Sequence, residues 1–359
     1  MIYGVVLAGG KGERFWPLSR ASHPKQFLKL TSERMMLEET IHRVLPIIPY
    51  ENFRIVTGAE MEGFILDKIE LLHQNNIYCE PIGRNTCVAI GLAAIHLIKD
   101  DPDAVMVVLS ADHLIKPQEK LQEIISTGIE LASKEDCLIT IGIVPTRPET
   151  AYGYIKLGEV HETIAGRSFY KVDKFTEKPK AAMAHEYYYS QNFLWNSGMF
   201  IWSAKSILNA INNLQPELGA LLEEYSQYIG TEKQSEAKHE LYKKAVSISI
   251  DFAILEKADN VLTLKGDIIW DDIGGWNALS RYKHKSSENN VIEGEGIAFE
   301  SYETTIFNNA DGLIATVGVS DLVVVRNDNI TLVVHKTKTD EIKKLLAHLD
   351  ENEDTKKYL

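Results

Sequence analysis

The stretch "VVLAGGKGERFWPLSRASHPKQFLKL", Val5–Leu30, is an apolar β-branched run that breaks into glycines at 9, 10 and 12. Lys11, Arg14, Arg20, Lys25 and Lys29 are gathered in and after that loop. Glycines permit backbone conformations closed to other residues and leave amides free to face phosphate oxygens. Two familiar phosphate templates fail here. A dinucleotide fingerprint needs a third glycine where Glu13, Arg14 and Phe15 stand. A P-loop needs its first glycine where Val5 sits, and a Ser or Thr where Gly12 follows Lys11. The loop therefore reads as a phosphate cradle of another kind, or as a plain tight turn. In the cradle reading, Arg14 supplies a planar fork of donors and Lys25 a point charge, both suited to stabilising a polyphosphate leaving group.

Working outward, the same strand-then-loop unit recurs. "FRIVT", "NIYCEP", "AVMVVLS" and "CLITIGIV" are strand-like runs, separated by helix-period stretches at 35–48, 86–100 and 120–134. Alternation at this spacing predicts a mostly parallel, Rossmann-like α/β sheet covered on both faces by helices. Ligands on such sheets bind at the carboxyl ends of the strands, which carry both the glycine loop and "SADH" at 110–113. From about 150 to 285 the pattern is mixed, with "YGYIKLG", "FYKVDKFTEKP" and "GMFIW" as strands. After Ser287 come short β runs with Asn, Asp and Gly turns, read as a small all-β domain of coiled β-solenoid type. The expected division is 1–286, a catalytic domain, and 287–359, a β-helix domain with a C-terminal helix. The final "ENEDTKKYL" is expected to fray.

Composition narrows the partners. The 359 residues are 45% hydrophobic, enough for a sizeable core, and carry a net charge of −13. An acidic surface argues against nucleic acid and anionic membranes, so the local basic cluster points to a small polyanion. Cys79, Cys87 and Cys137 lie in apolar segments without paired spacing and read as reduced core thiols. No apolar run approaches the roughly 20 residues a bilayer span needs, and no charged leader precedes the first strand. A cytoplasmic protein is the expectation.

Asp112 follows a buried strand, and either holds a divalent cation or caps the next helix. Asp271 and Asp272, in "IIWDDIGGWNAL", offer a second acidic site or a turn. Carboxylates from two loops suit a hard cation such as magnesium, which takes its remaining ligands from phosphates and water. His113 reads as a positioning or core histidine. "PIGRNT" sets Gly83, Asn85 and Thr86 before an Ala-rich helix, as an N-cap or as a ligand-gripping loop. "FTEKP" pairs Glu177 with Lys178, for sugar hydroxyl and phosphate or as a surface ion pair. "WNSGMFIW" places Asn196 among aromatics, as a sugar-binding wall or a packed core. There is no H-E-x-x-H, nucleophile elbow or triad pattern. Phosphoryl-type transfer needs none, because positioning and charge stabilisation suffice.

In this order the motifs resemble the sugar-nucleotidyltransferases, and most closely the mannose-1-phosphate guanylyltransferases. The carriers are "LAGGKGERFWPLSRASHPKQFLKL", "PIGRNTCVAI", "SADH", "PTRPETAYGYIKLG", "FTEKP", "LWNSGMFIW", "ISIDFAILEK", "IIWDDIGGWNAL" and "GVSDLVVVRNDNITLVV", across roughly residues 4–335. The resemblance implies transfer of GMP from GTP to mannose 1-phosphate, with magnesium on Asp112 and Asp272. It implies a nucleotide site of Leu7, Gly9, Gly10, Gly12, Arg14, Lys25, Gly83, Asn85, Thr86 and Ser110, with Arg14 and Lys25 acting on the departing pyrophosphate. Tyr152, Gly153, Glu177, Asn196 and Asp251 would line the sugar pocket, with Lys178 on the sugar phosphate. The C-terminal segment would be a short left-handed β-helix, which in the family often supports dimers. Ser110 departs from a common proline, and no isomerase domain of the long relatives follows, so that activity is expected to be missing. A guanylyltransferase for a heptose or glucose 1-phosphate is the alternative enzyme. A non-catalytic protein on the same fold predicts loss of Arg14, Lys25 or a metal acid, and all are present.

Overall fold

The computed structural model describes residues 1–10 and 12–359, so Lys11 of the glycine loop lies outside the described residues. The first strands are β1 (Ile2–Leu7), β2 (Phe53–Gly58), β3 (Ile77–Glu80), β4 (Val105–Ser110), β5 (Leu114–Lys116) and β6 (Leu138–Ile143). They are followed by β7 (Tyr154–Ile164), β8 (Arg167–Thr176), β9 (Phe193–Ser203), β10 (Val261–Gly266) and β11 (Ile269–Asp271). Contacts gather the chain into two units, each discontinuous in sequence. One comprises Met1–Gly9, Leu37–Ala111 and Ile115–Trp270; the other comprises Gly10–Met36, Asp112–Leu114 and Asp271–Leu359.

The first unit is built on a nine-stranded mixed sheet of order β3-β2-β1-β4-β9-β6-β10-β8-β7. Strands β1 to β4 pair in parallel, as do β6 and β10, whereas β9 runs antiparallel between β4 and β6. The apolar runs that looked strand-like are buried on both faces, as parallel strands covered by helices must be: Val105 to Leu109 are all buried. The covering helix Asn85–Asp100 is apolar almost all round, with Cys87 to Ala94 buried, so it is packed between layers rather than lying at the surface. All three cysteines are free, and Cys87 and Cys137 are buried as core thiols.

In the second unit, β12 (Val291–Glu293), β13 (Gly296–Phe299), β14 (Thr305–Asn309), β15 (Ile314–Val317), β16 (Leu322–Asn327) and β17 (Ile330–His335) form the expected coil. Strands β12, β14 and β16 stack in parallel on one face, β13 and β15 on another, and β17 turns back antiparallel on β16. The core of this unit joins the coil to the glycine-loop segment: Phe15, Trp16, Leu28, Ile273 and Trp276 pack with Val323, Val325, Ile330 and Leu332. The C-terminal tail does not fray. Glu353–Lys356 form a short helix, and the Tyr358 carbonyl accepts a hydrogen bond from the Trp16 indole at 2.8 Å. A buried indole N–H is usually hydrogen-bonded, and for Trp16 the tail provides the acceptor. Among the described residues no helix is long and apolar enough to cross a membrane.

Candidate functional site

The glycine loop of the second unit has a steric reason for its composition. Gly12 sits at φ 64°, and a Cβ there would lie 2.2 Å from the Lys25 Cβ. The Gly12 carbonyl accepts from the Phe15 amide at 2.9 Å and from the Ser19 hydroxyl at 2.7 Å, which fixes the turn. Lys25, only 6% exposed, donates to Asp112 Oδ2 at 2.7 Å and to the Asp272 carbonyl at 2.8 Å. Desolvation pushes the Asp112 carboxyl up, but the Lys25 and His113 charges and the hydrogen bonds outweigh it and hold it below the usual carboxylate range. His113 is buried, its Nε2 3.9 Å from Asp112 Oδ1.

The neighbouring acids Asp271 and Asp272 have different surroundings. Asp271 is buried and held in a two-pronged pair by Arg281, while its Oδ1 also accepts from the Ile273 amide at 2.8 Å. Ile273 is fully buried at φ 44°, a strained conformation for a β-branched residue. The Arg281 clamp and the burial of Ile273 hold that strain, and the chain then turns through Gly274 and Gly275. Arg14 lies across this turn: a Cβ on Gly274 would come 3.0 Å from Asp272 Oδ2 and 3.5 Å from Arg14 Nη1. Arg14 also pairs with Asp340 at 3.5 Å.

Asp112 and Asp272 present hard oxygen donors, and Lys25 already bridges the carboxylate of one and the carbonyl of the other. That chemistry fits a divalent cation completed by phosphate and water oxygens. Among the described residues there is no cluster of three or more His, Cys, Asp or Glu arranged to hold an ion.

In the first unit a second constellation is stapled together by backbone bonds. The Asn196 amide donates to the Gly153 carbonyl at 2.8 Å, and the Lys178 amide to the Tyr152 carbonyl at 3.2 Å. A Cβ on Gly153 would meet Glu177 Oε2 at 2.5 Å, so glycine is what lets that carboxylate approach. Asn196 is oriented by both ends of its amide: Oδ1 accepts from Thr140 and Nδ2 donates to Asp251 Oδ1, each at 2.8 Å. Burial, then the nearby Glu177 charge, pushes the Asp251 carboxyl up to about 7. Lys178 is exposed, adopts φ 48° and pairs with Glu177 at 3.0 Å. Tyr152 packs edge-on against Trp195 and Trp270, at 5.2 and 4.9 Å between ring centroids, with the Arg147 guanidinium over its face. The arrangement offers hydroxyl-binding acceptors beside an aromatic wall.

The same unit carries the remaining loop residues. Leu7 and Ser110 are register partners at the ends of β1 and β4. Asn85 stands at φ 65° and its Oδ1 accepts the Thr86 amide at 2.9 Å. The Thr86 hydroxyl accepts from the Ile250 amide at 2.8 Å, and Arg84 turns to the Tyr242 and Lys243 carbonyls, so these two side chains brace the loop. A Cβ on Gly83 would meet only open space, as would one on Gly10 of the second unit. Sequence reasoning passed over Thr140, Glu256, whose Oε1 accepts the Glu177 amide at 3.0 Å, and Arg281. It also passed over Glu80, a buried acid closing β3, whose only signal was a carboxylate ending an apolar strand before "PIG".

Residues 3–289 match the family described as nucleotidyl transferase, and residues 294–349 match the MannoseP isomerase/GMP-like beta-helix domain. The chain is 34% identical over 359 residues to the mannose-1-phosphate guanylyltransferase of Klebsiella pneumoniae, covering 98% of this chain and 75% of that protein. It is 34% identical over 361 residues to one from Escherichia coli, covering 99% of this chain and 75% of that protein. A crystal structure named mannose-1-phosphate geranyltransferase, from Thermus thermophilus, superposes with a TM-score of 0.86 at 33% identity, over 97% of this chain and 99% of that one.

Proposed function

This chain belongs to the nucleotidyl transferase family, among the mannose-1-phosphate guanylyltransferases, and we propose that it transfers GMP from GTP to α-D-mannose 1-phosphate. The observation that carries the reading is identity of 34% to such an enzyme over 98% of the chain.

A phosphate oxygen of mannose 1-phosphate attacks the α-phosphorus of GTP in line. The new P–O bond makes GDP-mannose, and the α–β bridging oxygen departs with its electron pair in pyrophosphate. No covalent enzyme intermediate is required, so the protein's work is positioning and charge stabilisation. Gly9, Gly10 and Gly12 turn the backbone around the triphosphate. Arg14 and Lys25 stabilise the charge gathering on the leaving group. Leu7, Gly83, Asn85, Thr86 and Ser110 form the nucleotide side, and Tyr152, Gly153, Glu177, Asn196 and Asp251 bind the mannose. Lys178 takes the sugar phosphate. Asp112 and Asp272 would hold magnesium, which when bound screens the repulsion between two anionic substrates. In the same reading residues 1–286 carry the chemistry, residues 287–359 form the β-helix domain, the assembly is a homodimer and the location is cytoplasmic.

The test is pyrophosphate release over a grid of four nucleoside triphosphates and several sugar 1-phosphates. Turnover confined to GTP with mannose 1-phosphate is expected. A heptose or glucose 1-phosphate outperforming mannose would replace the sugar assignment.

A further inference from the structure

The connection from β6 to β7, residues 144–153, contains neither helix nor strand. The proposed sugar pocket takes its last two residues, Tyr152 and Gly153, and leaves the charged pair before them, Arg147 and Glu149, without a role. Groups that bind a ligand need supports that fix their own position, and this pair is built as one. Arg147 donates through Nε and Nη2 to Glu149 Oε2, at 3.1 and 3.0 Å. Glu149 Oε1 accepts the Ala151 amide at 3.1 Å, and the Glu149 amide donates to the Tyr154 hydroxyl at 2.9 Å. Arg147 Nη2 also reaches the Tyr152 hydroxyl at 3.3 Å. The guanidinium lies over two rings, 5.7 Å from the Tyr152 centroid and 5.1 Å from that of Trp195. Trp195 is buried on β9, so the clasp is anchored to the sheet. The two side chains are 32% and 23% exposed, which sets the pair apart from freely solvated surface ion pairs. A planar fork that also stacks on aromatic faces is what arginine offers and lysine does not.

We propose that Arg147 is a positioning residue for the sugar 1-phosphate, acting through Tyr152 and Gly153 and oriented by Glu149. The inference deepens the guanylyltransferase reading and rests on it for the substrate. The strip that the clasp fixes is the one from which the pocket hangs. The Tyr152 carbonyl accepts the Lys178 amide at 3.2 Å, the Gly153 carbonyl accepts the Asn196 amide at 2.8 Å, and Gly153 leaves room for Glu177 Oε2. A displaced strip therefore shifts Glu177, Lys178 and Asn196 together. Among the described residues, the hydrogen bonds of Arg147 and Glu149 stay within residues 147–154. The defect on losing the clasp is accordingly one-sided: use of the sugar phosphate falls and use of GTP does not. Damage to the fold would lower both.

The experiment measures pyrophosphate release while each substrate is varied in turn, in the wild type, Arg147→Met, Glu149→Gln and the double variant. Methionine keeps a long side chain against the two rings and removes the fork. For Arg147→Met, kcat/KM toward mannose 1-phosphate should fall about 10- to 100-fold, the range of hydrogen bonds to a charged group. Its KM for GTP should stay within about twofold, the scatter of a substitution with no role there. Glu149→Gln keeps one acceptor oxygen and should lose about 3- to 10-fold. The double variant should be no worse than Arg147→Met, because the two residues act as a unit. An unchanged kcat/KM for mannose 1-phosphate, equal losses with both substrates, or additive losses in the double variant would overturn the proposal. If Arg147→Met does not fold, Glu149→Gln decides: a one-sided loss supports the clasp, and an unchanged or two-sided response overturns it. If the wild type does not turn over GTP with mannose 1-phosphate, the guanylyltransferase reading fails instead. Amide hydrogen exchange then decides the clasp, with faster exchange at Lys178 and Asn196 in the variants supporting it and unchanged protection overturning it.

Discussion

Replacing Asp251 by Asn should stabilise the protein above neutral pH while damaging sugar use. The Asp251 carboxyl rises from an ordinary 3.8 to about 7, because it is buried and then because it faces Glu177. Between those values the unfolded chain has lost the proton that the folded chain keeps. Folding stability therefore falls as pH rises through this window and is level above it. Each tenfold change in ionisation is worth about 1.4 kcal/mol, which caps the penalty carried by the wild type at about 4 kcal/mol. The residue is half-buried, so water relieves part of that penalty, and a charge-assisted bond from Asn196 is traded for a neutral one of the same geometry. Those offsets leave a net gain of about 1–2 kcal/mol. For a unit of this size that is roughly 2–8 °C in Tm. Melting curves of both proteins from pH 4 to pH 8.5 should coincide near pH 4, separate up to about pH 7 and run parallel beyond. Catalytic efficiency toward mannose 1-phosphate should fall in the same variant, as when a strained functional group is relieved. A Tm gain of equal size at every pH, or a loss at pH 8, would refute the placement of an uncomfortable carboxylate against Glu177.

Gly12→Ala forces an L-residue into φ 64° at about 1 kcal/mol and drives a methyl to 2.2 Å from the Lys25 Cβ, so the loop or Lys25 must move. Turnover should drop about 100-fold with the sheet intact by circular dichroism, since misplacement by about 1 Å costs that much; retained turnover would remove Lys25 from the reaction. Asp112→Asn is a cleaner test of cation binding than truncation, because Lys25 keeps the Asp272 carbonyl and an oxygen at position 112. It should raise the magnesium concentration needed for half-maximal rate at least about tenfold, a charge-assisted bond being worth that much, and an unchanged magnesium titration would count against Asp112 as a ligand. Lys178→Gln keeps the same exposed site and backbone, so Tm should hold within about 0.5 kcal/mol of stability while KM for the sugar phosphate rises about tenfold. An unaltered KM would assign Lys178 to its Glu177 pair alone.

The strand-and-loop reading of Val5–Leu30 carried far because its signal is local. Two-sided burial makes β1 and β4 continuous apolar runs, and a backbone that must pass Lys25 at φ 64° admits little besides glycine at position 12. What local pattern misses is set by partners distant in sequence. Phe15 and Trp16 are buried by Val323, Val325 and Trp276, partners far along the chain that no local pattern names. The polar "ENEDTKKYL" reads as a loose end, because nothing in it announces that Trp16 needs the Tyr358 carbonyl. Only the family resemblance told Asp271 from Asp272 in the sequence; in the structure Arg281 makes its two-pronged pair with the first and lies 4.0 Å from the second. Glu80 is visible only through burial, which composition does not report.

The packing within the second unit also bears on how the proposed phosphate loop would work without the Ser or Thr of a P-loop. A P-loop hydroxyl sits on the same short turn as the backbone amides, so its metal ligand comes with the loop. Here the proposed ligand oxygens stand on separate segments, Asp112 and Asp272, and their register with Gly12 and Lys25 must come from elsewhere. The C-terminal coil provides it. Ile273 is buried in the cluster that holds Phe15 and Val323, Trp276 donates to the Trp16 carbonyl at 3.0 Å, and Asn277 is tied to the Lys336 carbonyl at 2.9 Å. One rigid core thereby fixes the loop, both acids and the strained turn between Asp272 and Gly274. The β-coil is thereby packed into the scaffold of the proposed phosphate site.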